Sequence, residues 1–191
     1  MKTFFFGTLI AASMATTAYS APEKYNLDAS HSQIVFSYQH LGFSTTWGMF
    51  SGFEGEIMFD ADAPASSSVS VSMPLKSMLT GWEKRFEHFM SPDFFNATDD
   101  SMVSFTSTGI EVTGESSAKI TGDLNINGVT KSVVLDAVLN QNAEHPMAGK
   151  PWLGFNASTT ILRSDFGVGK FAPYVGDELD VMISIEAAKA E

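Results

Sequence analysis

The chain has 191 residues, enough for one domain with a substantial core, and it contains no cysteine. The lack of cysteine excludes disulfides, thiolate metal sites and a cysteine nucleophile. The 22 acidic residues outnumber the 11 basic ones, and the net charge of −11 argues against nucleic acid or anionic lipid surfaces as partners.

The first predicted element is a cleavable secretory signal peptide over residues 1–20. Lys2 gives a positive start, residues 4–12 give an apolar stretch, and residues 18–20 supply the small residues that a signal peptidase reads. The apolar stretch is too short to span a membrane. We therefore expect export to the periplasm and one domain over residues 21–191, with a net charge of −12 because Lys2 is removed.

The exported part alternates between apolar and polar residues, which is the period of β-strands. The predicted strands cover these segments: residues 32–38, 53–59, 69–74, 103–105, 110–112, 155–161 and 179–185. Residues 42–53 carry Phe43 and Trp47 among small and polar residues, and they are predicted as an aromatic loop that plugs or gates a barrel. Residues 61–68 and 140–151 are predicted as loops.

One segment has the spacing of a helix rather than a strand. Thr80 and Glu83 have the spacing of a capping box, and Pro92 stops the pattern. Between them, large apolar residues recur at helical intervals: Trp82, Phe86, Phe89 and Met90. The sequence therefore predicts a short amphipathic helix.

The clearest predicted element is a hairpin around Asn127-Gly128, a dipeptide that favours a two-residue turn because both positions need positive φ. This turn fixes the predicted cross-strand pairs: Ile126 with Val129, Ile120 with Leu135, Ala118 with Ala137, and Lys119 with Asp136. With the other strands, it indicates an all-β fold, an antiparallel barrel of about eight strands with a short helical flap. A barrel of this size is either filled by side chains or holds one small ligand.

Catalytic and metal-binding motifs are weak in this sequence. The histidines form no HExxH pattern, there is no G-x-S-x-G elbow, and adjacent residues His31 and Ser32 point to opposite faces of a strand. We therefore predict no catalytic residue, no metal and no cofactor. Arg85 fits either a cavity mouth or a surface ion pair, whereas Arg163 and Asp165 favour a local structural ion pair.

An ordered set of short strings extends over almost the whole exported chain. These strings are YNLD at 25–28, HSQIVF at 31–36, GMF at 48–50, FEG at 53–55, FD at 59–60, SPDFFN at 91–96, GDL at 122–124, NGVT at 127–130 and RSDFG at 163–167. Together they resemble the YceI-like family of periplasmic polyisoprenoid-binding proteins.

The resemblance implies a lipocalin-like barrel with an elongated apolar pocket. It also implies a binding or carrier protein for a polyprenyl phosphate, an isoprenoid quinone or a similar amphiphilic lipid. The chain departs from many relatives at Arg85-Phe86, where they carry an Arg-Asp pair. This departure removes a carboxylate from the helix and fits a less polar head group.

The predicted ligand-binding residues fall into several groups. The pocket lining is predicted to comprise Phe36, Tyr38, Phe50, Phe53, Phe105 and Phe155. Further predicted ligand contacts are Phe43 and Trp47 of the aromatic loop, and Phe166. The cover is predicted to comprise Trp82, Phe86, Phe89, Phe94 and Phe95. The head-group end is predicted at His40, Arg85 and His88.

Three alternatives stay open at this point. The first is an outer-membrane barrel with its apolar face toward lipid, although residues 68–74 and 103–107 are shorter than the about 9–11 residues that a spanning strand needs. The second is an enzyme on a lipocalin-like barrel that acts on a lipid-like substrate. The third is a filled barrel that serves as a stress or interaction module. A homodimer is possible in each case.

Overall fold

The computed structural model describes residues 21–191, and the predicted signal peptide lies outside the described residues. These residues form one ten-stranded sheet and one short α-helix. The elements are β1 Glu23–Leu27, β2 Gln33–His40, β3 Ser44–Phe50, β4 Glu54–Phe59, β5 Ser68–Pro74, α1 Glu83–Met90, β6 Met102–Val112, β7 Ser117–Ile126, β8 Val129–Glu144, β9 Pro151–Leu162 and β10 Glu178–Lys189. All strand pairs are antiparallel, and β1 pairs with both β4 and β10, so the sheet closes into a barrel.

The ten strands occupy eight positions around the barrel. Strands β1 and β2 lie end to end along β10, since Leu27 pairs with Ala187 and Ile34 pairs with Ile183. Strands β4 and β3 lie end to end beside them in the same way. The prediction of about eight antiparallel strands is therefore confirmed, with two of the walls interrupted.

The first interruption follows β1, where the Asp28 carboxylate accepts a hydrogen bond from the backbone N–H of Ser30 at 2.9 Å. The second lies between β3 and β4, where Gly52 has a φ of +70°. This left-handed conformation is one that glycine adopts at little cost. Both interruptions bend their wall, and neither breaks the closure of the barrel.

The predicted hairpin of β7 and β8 is confirmed in its register. Asn127 and Gly128 have φ values of 56° and 75°, as the turn requires. The observed pairs are Ile126 with Val129, Ile120 with Leu135 and Ala118 with Ala137. On the outer face, the Lys119 Nζ donates to the Asp136 Oδ1 at 2.6 Å.

Several predicted boundaries are wrong. Residues 102–112 form one strand with a bulge between Ser107 and Gly109, not two strands. Residues 44–50 form β3 rather than an aromatic loop, because they pair with residues 34–40 of β2. Strand β8 continues to Glu144, which shortens the predicted loop to residues 145–150.

The helix lies where the sequence predicts it, but its predicted capping box is wrong. Trp82 precedes the first turn without a side-chain cap, and the Thr80 hydroxyl donates to the Trp82 carbonyl at 2.9 Å instead. Gly81, with a φ of +73°, turns the chain at this point. Phe86 and Phe89 pack against the buried cluster under the helix, whereas Trp82 is 60% exposed.

The connections divide the barrel into two unlike ends. At the helix end lie the connections over residues 41–43, 75–101, 127–128 and 163–177. At the loop end lie the connections over residues 60–67, 113–116 and 145–150. Within residues 21–191, no helix is long and apolar enough to cross a membrane.

Candidate ligand-binding cavity

A cavity of about 430 Å³ runs through the barrel interior. Its volume lies within the range of small-molecule sites. Val133 and Leu139 both line it and are six residues apart on β8, so it follows about 20 Å of strand. Most of its lining side chains are aliphatic or aromatic. The cavity is therefore long and apolar.

A row of alanines keeps the middle of the barrel hollow. Ala118 on β7 pairs with Ala137 on β8, which in turn pairs with Ala157 on β9, and all three line the cavity. Larger side chains at these neighbouring positions would project into the lumen, since barrels of this size are just wide enough to be filled by side chains. The alanines thus distinguish this barrel from a filled one.

Two glycines let aromatic rings lie along the wall instead of across the lumen. The Phe36 ring covers its cross-strand partner Gly48, where an added Cβ would lie 2.2 Å from the ring. The Phe105 ring covers Gly122, which lies diagonally across from it on β7, and an added Cβ there would lie 2.3 Å from the ring. Any side chain at either glycine would push the ring toward the cavity.

The cavity is closed at the helix end and open at the loop end. At the helix end its lining residues are buried or half-buried, and they include Phe94, Phe95 and Phe166. At the loop end it is lined in part by exposed residues: Ala61, Pro64, Val112, Gly114, Glu115, Ser116 and Asn142. The mouth therefore lies between the connections over residues 60–67 and 113–116.

Two segments meet over the helix end, and together we call them the lid: residues 83–97 and residues 167–176. The Asp93 carboxylate forms an ion pair with Lys170 and lies 3.2 Å from the His88 Nε2. The Phe94 ring packs against the rings of His88 and Phe171, with centroids 5.1 and 6.0 Å apart. Hydrogen bonds from Lys170 and His88 hold the pKa of Asp93 below its usual value.

Arg163 lines the cavity beneath the lid and is only 7% exposed. Its guanidinium donates to backbone carbonyls at 2.7–2.8 Å, and these belong to Val168, Lys170, Val175 and Gly176. Burial lowers the pKa of Arg163. The predicted local ion pair with Asp165 is wrong, because the carbonyls of residues 168–176 take the guanidinium donors.

The structure brings only part of the predicted ligand-binding set together around the cavity. The predicted residues that line it are Phe36, Tyr38, Phe50, Phe53, Phe89, Phe94, Phe95, Phe105, Phe155 and Phe166. Their contact with a ligand stays a prediction. The predicted residues outside the lining are His40, Phe43, Trp47, Trp82, Arg85, Phe86 and His88.

Alternation and local hydrogen bonds explain why these residues lie outside. Gly48 and Phe50 face the interior, so Trp47, which directly precedes Gly48 on the same strand, faces outward and is 52% exposed. Phe43 lies in the turn after β2 and is 89% exposed. The Arg85 Nη1 donates to the Thr80 carbonyl at 2.8 Å. The polar residues predicted for the head-group end thus lie outside the cavity.

Sequence reasoning missed Arg163 as a cavity residue, although the pattern of β9 carried a signal. Phe155, Ala157, Thr159 and Ile161 all line the cavity at two-residue intervals. Arg163 continues the same alternation one step beyond the strand. A cation at the end of an inward-facing series is a candidate cavity residue, whatever charges lie beside it in sequence.

A second polar cluster lies at the interruption between β1 and β2. Asp28, His31 and Glu186 bring donor atoms within 4.8 Å of one another. The His31 Nδ1 lies 2.6 Å from the Asp28 Oδ2, and the Trp152 Nε1 donates to the Glu186 Oε2 at 2.9 Å. The cluster thus acts as a polar brace between the start of β2 and β10.

A closed antiparallel barrel with one unfilled apolar interior belongs to the class of barrels that can enclose one small ligand. Residues 25–187 match the YceI-like domain. The chain is 36% identical to Protein YceI of Shigella flexneri over 191 residues, covering 99% of both chains. The chain belongs to the YceI-like family.

Solved structures share the fold. The crystal structure of BcnA from Burkholderia cenocepacia is similar with a TM-score of 0.75 at 23% identity, covering 84% of this chain and 98% of that one. A polyisoprenoid binding domain from Saccharophagus degradans is similar with a TM-score of 0.66 at 13% identity, covering 87% of this chain and 98% of that one. At these identities, the likeness establishes the architecture alone.

Proposed function

We propose that this protein is a periplasmic carrier that holds one long-chain isoprenoid, or a similar amphiphilic lipid, inside its barrel. The observation that carries the proposal is the apolar cavity that the row Ala118, Ala137 and Ala157 keeps open. Its narrow, elongated form suits a flexible chain better than a compact ligand. A polyisoprenoid binding domain of the same architecture shows that a barrel of this kind can hold this class of ligand.

The energetics suit such a ligand. Each buried methylene contributes about 0.8 kcal/mol, and micromolar binding needs about 8 kcal/mol. A chain of a few isoprene units supplies this amount even after the loss of chain and translational freedom is subtracted. The tail then provides most of the affinity, and the head group provides specificity.

We propose binding without covalent chemistry. Catalysis needs a nucleophile or base within hydrogen-bond reach of a second group. The charged side chains in the described lining are Glu115 and Arg163, and they lie at opposite ends of the barrel. Such a separation suits a binding protein better than an enzyme on the same barrel.

The periplasmic location rests on the predicted signal peptide, and it has its own test. Mass spectrometry of the protein from a periplasmic fraction is expected to give a chain that starts at Ala21. A chain in the cytoplasmic fraction that retains residues 1–20 would contradict this location. The homodimer stays a prediction that size-exclusion chromatography with light scattering would test.

Mass spectrometry of an organic extract tests the proposed ligand class. The protein is purified from its host without detergent, beside the variant Ala157→Trp, which narrows the cavity. We expect one isoprenoid or isoprenoid quinone per chain in the natural protein and a much smaller amount in the variant. Equal amounts in both proteins would show adventitious lipid. No lipid, together with no uptake of an added isoprenoid, would overturn the proposal.

A further inference from the structure

We propose that Arg163 and Tyr38 bind the polar head group of the ligand at the closed helix end, and that this head group is an oxyanion such as a phosphate or a carboxylate. The inference rests on the proposed function and specifies the chemistry of the same cavity. It places the head group under the lid and the tail along the barrel toward the loop end.

The first reason for this inference is the positive charge at the helix end of the cavity. Arg163 is buried and lines the cavity, yet it forms no ion pair with a carboxylate among residues 21–191. The nearby Asp177 accepts from the backbone N–H and the hydroxyl of Ser164 instead. Carbonyl oxygens therefore bind the guanidinium, and the Asp177 carboxylate acts on its charge only from beyond ion-pair distance. A buried charge without an ion-pair partner is costly, so an anion in this part of the cavity would stabilise it.

The second reason is the set of hydrogen-bond donors at the helix end of the cavity. A guanidinium has five N–H groups, and the four hydrogen bonds of Arg163 leave one N–H on Nη2 without an acceptor among the described residues. Tyr38 lines the same cavity, and burial raises the pKa of its hydroxyl against the opposing effects of the Arg85 charge, a hydrogen bond with Thr46 and the Arg163 charge. The hydroxyl is thus protonated at neutral pH and can donate to an oxyanion.

The third reason is the position of Arg163 between the lid and the apolar lining of the cavity. The same guanidinium holds the segment over residues 167–176, which forms half of the lid. From this end the apolar lining leads past the alanine row toward the mouth. A tail that follows this path fills the apolar part of the cavity, and the charged group stays at the one end that carries a buried cation.

The opposite orientation would put the head group among the hydroxyls near the mouth. Ser67, Ser116 and Ser117 line the loop end, and Glu115 lies beside them. A carboxylate at that end repels an oxyanion, whereas it tolerates a neutral alcohol. The two orientations therefore predict opposite preferences between an anionic and a neutral head group.

Two probes with the same tail separate the contribution of the head group from that of the tail. Geranylgeranyl phosphate and geranylgeraniol are each titrated against the full exported chain in competition with a fluorescent apolar probe. The natural protein is expected to bind the phosphate about 10- to 100-fold more tightly, as charge-assisted hydrogen bonds allow. This preference is expected to fall several-fold in Tyr38→Phe and to disappear in Arg163→Met.

Matched variants keep the test decisive. Ser117→Ala at the loop end is expected to leave the preference for the phosphate unchanged. Arg163→Met can lose the lid segment, so Tyr38→Phe, which keeps the aromatic ring, carries the test if the arginine variant does not fold. Equal binding of the two probes by the natural protein, or a preference that depends on Ser117 and not on Tyr38, would overturn this inference. Binding of neither probe would instead overturn the proposed function.

Discussion

The two ends of the barrel are built from different chemistry around the same cavity. The helix end is closed by packed aromatic rings, an ion pair between two chain segments, and Arg163 with its carbonyl partners. The loop end is bordered by exposed small and polar residues and remains open. The difference indicates that the two ends of the cavity are not equivalent, and under the proposed function a bound amphiphile would take one preferred orientation.

The two ends also differ in how much the residues around the cavity are buried. At the helix end, Phe166 is 2% exposed and packs with Ile161 and Val168 in a buried cluster. At the loop end, Val112 lines the mouth and is 48% exposed. Closure at the helix end thus depends on core packing, whereas the exposed residues that border the mouth, such as Val112, contribute little packing to the fold.

The largest expected effect is on stability. Phe166→Ala is expected to lower the free energy of unfolding by about 3–5 kcal/mol, since it removes a buried aromatic ring and leaves a cavity. Val112→Ala is expected to change it by no more than about 0.5 kcal/mol, as for an exposed site. Urea unfolding of the delipidated proteins measures both. Similar losses in the two variants would contradict the difference between the ends.

A smaller effect is expected on ligand exchange. Asp93→Asn removes the carboxylate that binds Lys170 and His88 across the lid. Lys170 belongs to the lid segment that also binds Arg163, so loosening this segment is expected to weaken the retention of the ligand. Because exposed ion pairs are worth about 0.2–1 kcal/mol, we expect the dissociation rate of an isoprenoid to rise about two- to fivefold. Stopped-flow displacement measures this rate. The matched control is Asp99→Asn, which removes an exposed ion pair with Lys76 outside the lid.

An unchanged dissociation rate in Asp93→Asn would show that the ligand leaves through the mouth without opening the lid. Acceleration by both variants to the same degree would indicate a general loosening of the fold. Only acceleration specific to Asp93 supports a role of the lid in retaining the ligand.

The smallest expected effect is a pH dependence at the polar brace between the start of β2 and β10. Burial alone would raise the pKa of Asp28, but hydrogen bonds from His31 and Ser30 lower it to about 2. The hydrogen bond to Asp28 raises the pKa of His31 above 6.5. Asp28 therefore contributes fully to the folding stability above pH 3.8, and this contribution is lost as the pH falls toward 2. His31 contributes fully to the folding stability below pH 6.5, and this contribution is lost as the pH rises through the raised pKa of His31.

The pair therefore stabilises the fold most between about pH 4 and 6.5. The difference in urea midpoint between the natural protein and His31→Gln is expected to be largest in this window. A difference that stays constant from pH 2 to 9 would show that the pair does not contribute through its charges.

Local signals predicted the regular parts of the fold, and long-range pairing decided the rest. The hairpin register came from Asn127-Gly128 and from alternation on both sides, all within neighbouring residues. The break between β3 and β4 could not be predicted so well, because it depends on the pairing of β3 with β2 and of β4 with β1. Residues 42–53 therefore suggested a loop, although β3 is a strand.

The candidate site shows the same division. Inward-facing aromatics such as Phe36 and Phe105 were predictable, because alternation assigns them to a face. The alanine row was not, because it becomes visible only when three strands are in register. Arg163 was assigned to Asp165 by proximity in sequence, whereas the chain brings the carbonyls of residues 168–176 to it.

The most direct test of the central claim is a titration of geranylgeraniol into delipidated natural protein, Ala157→Trp and Ser158→Trp. Ala157 lines the cavity, while its neighbour Ser158 lies on the exposed face of the same strand. We predict binding of one molecule per chain to the natural protein and to Ser158→Trp, with at least about a tenfold loss in Ala157→Trp at undiminished thermal stability. Equal binding by all three proteins would contradict a ligand inside the barrel.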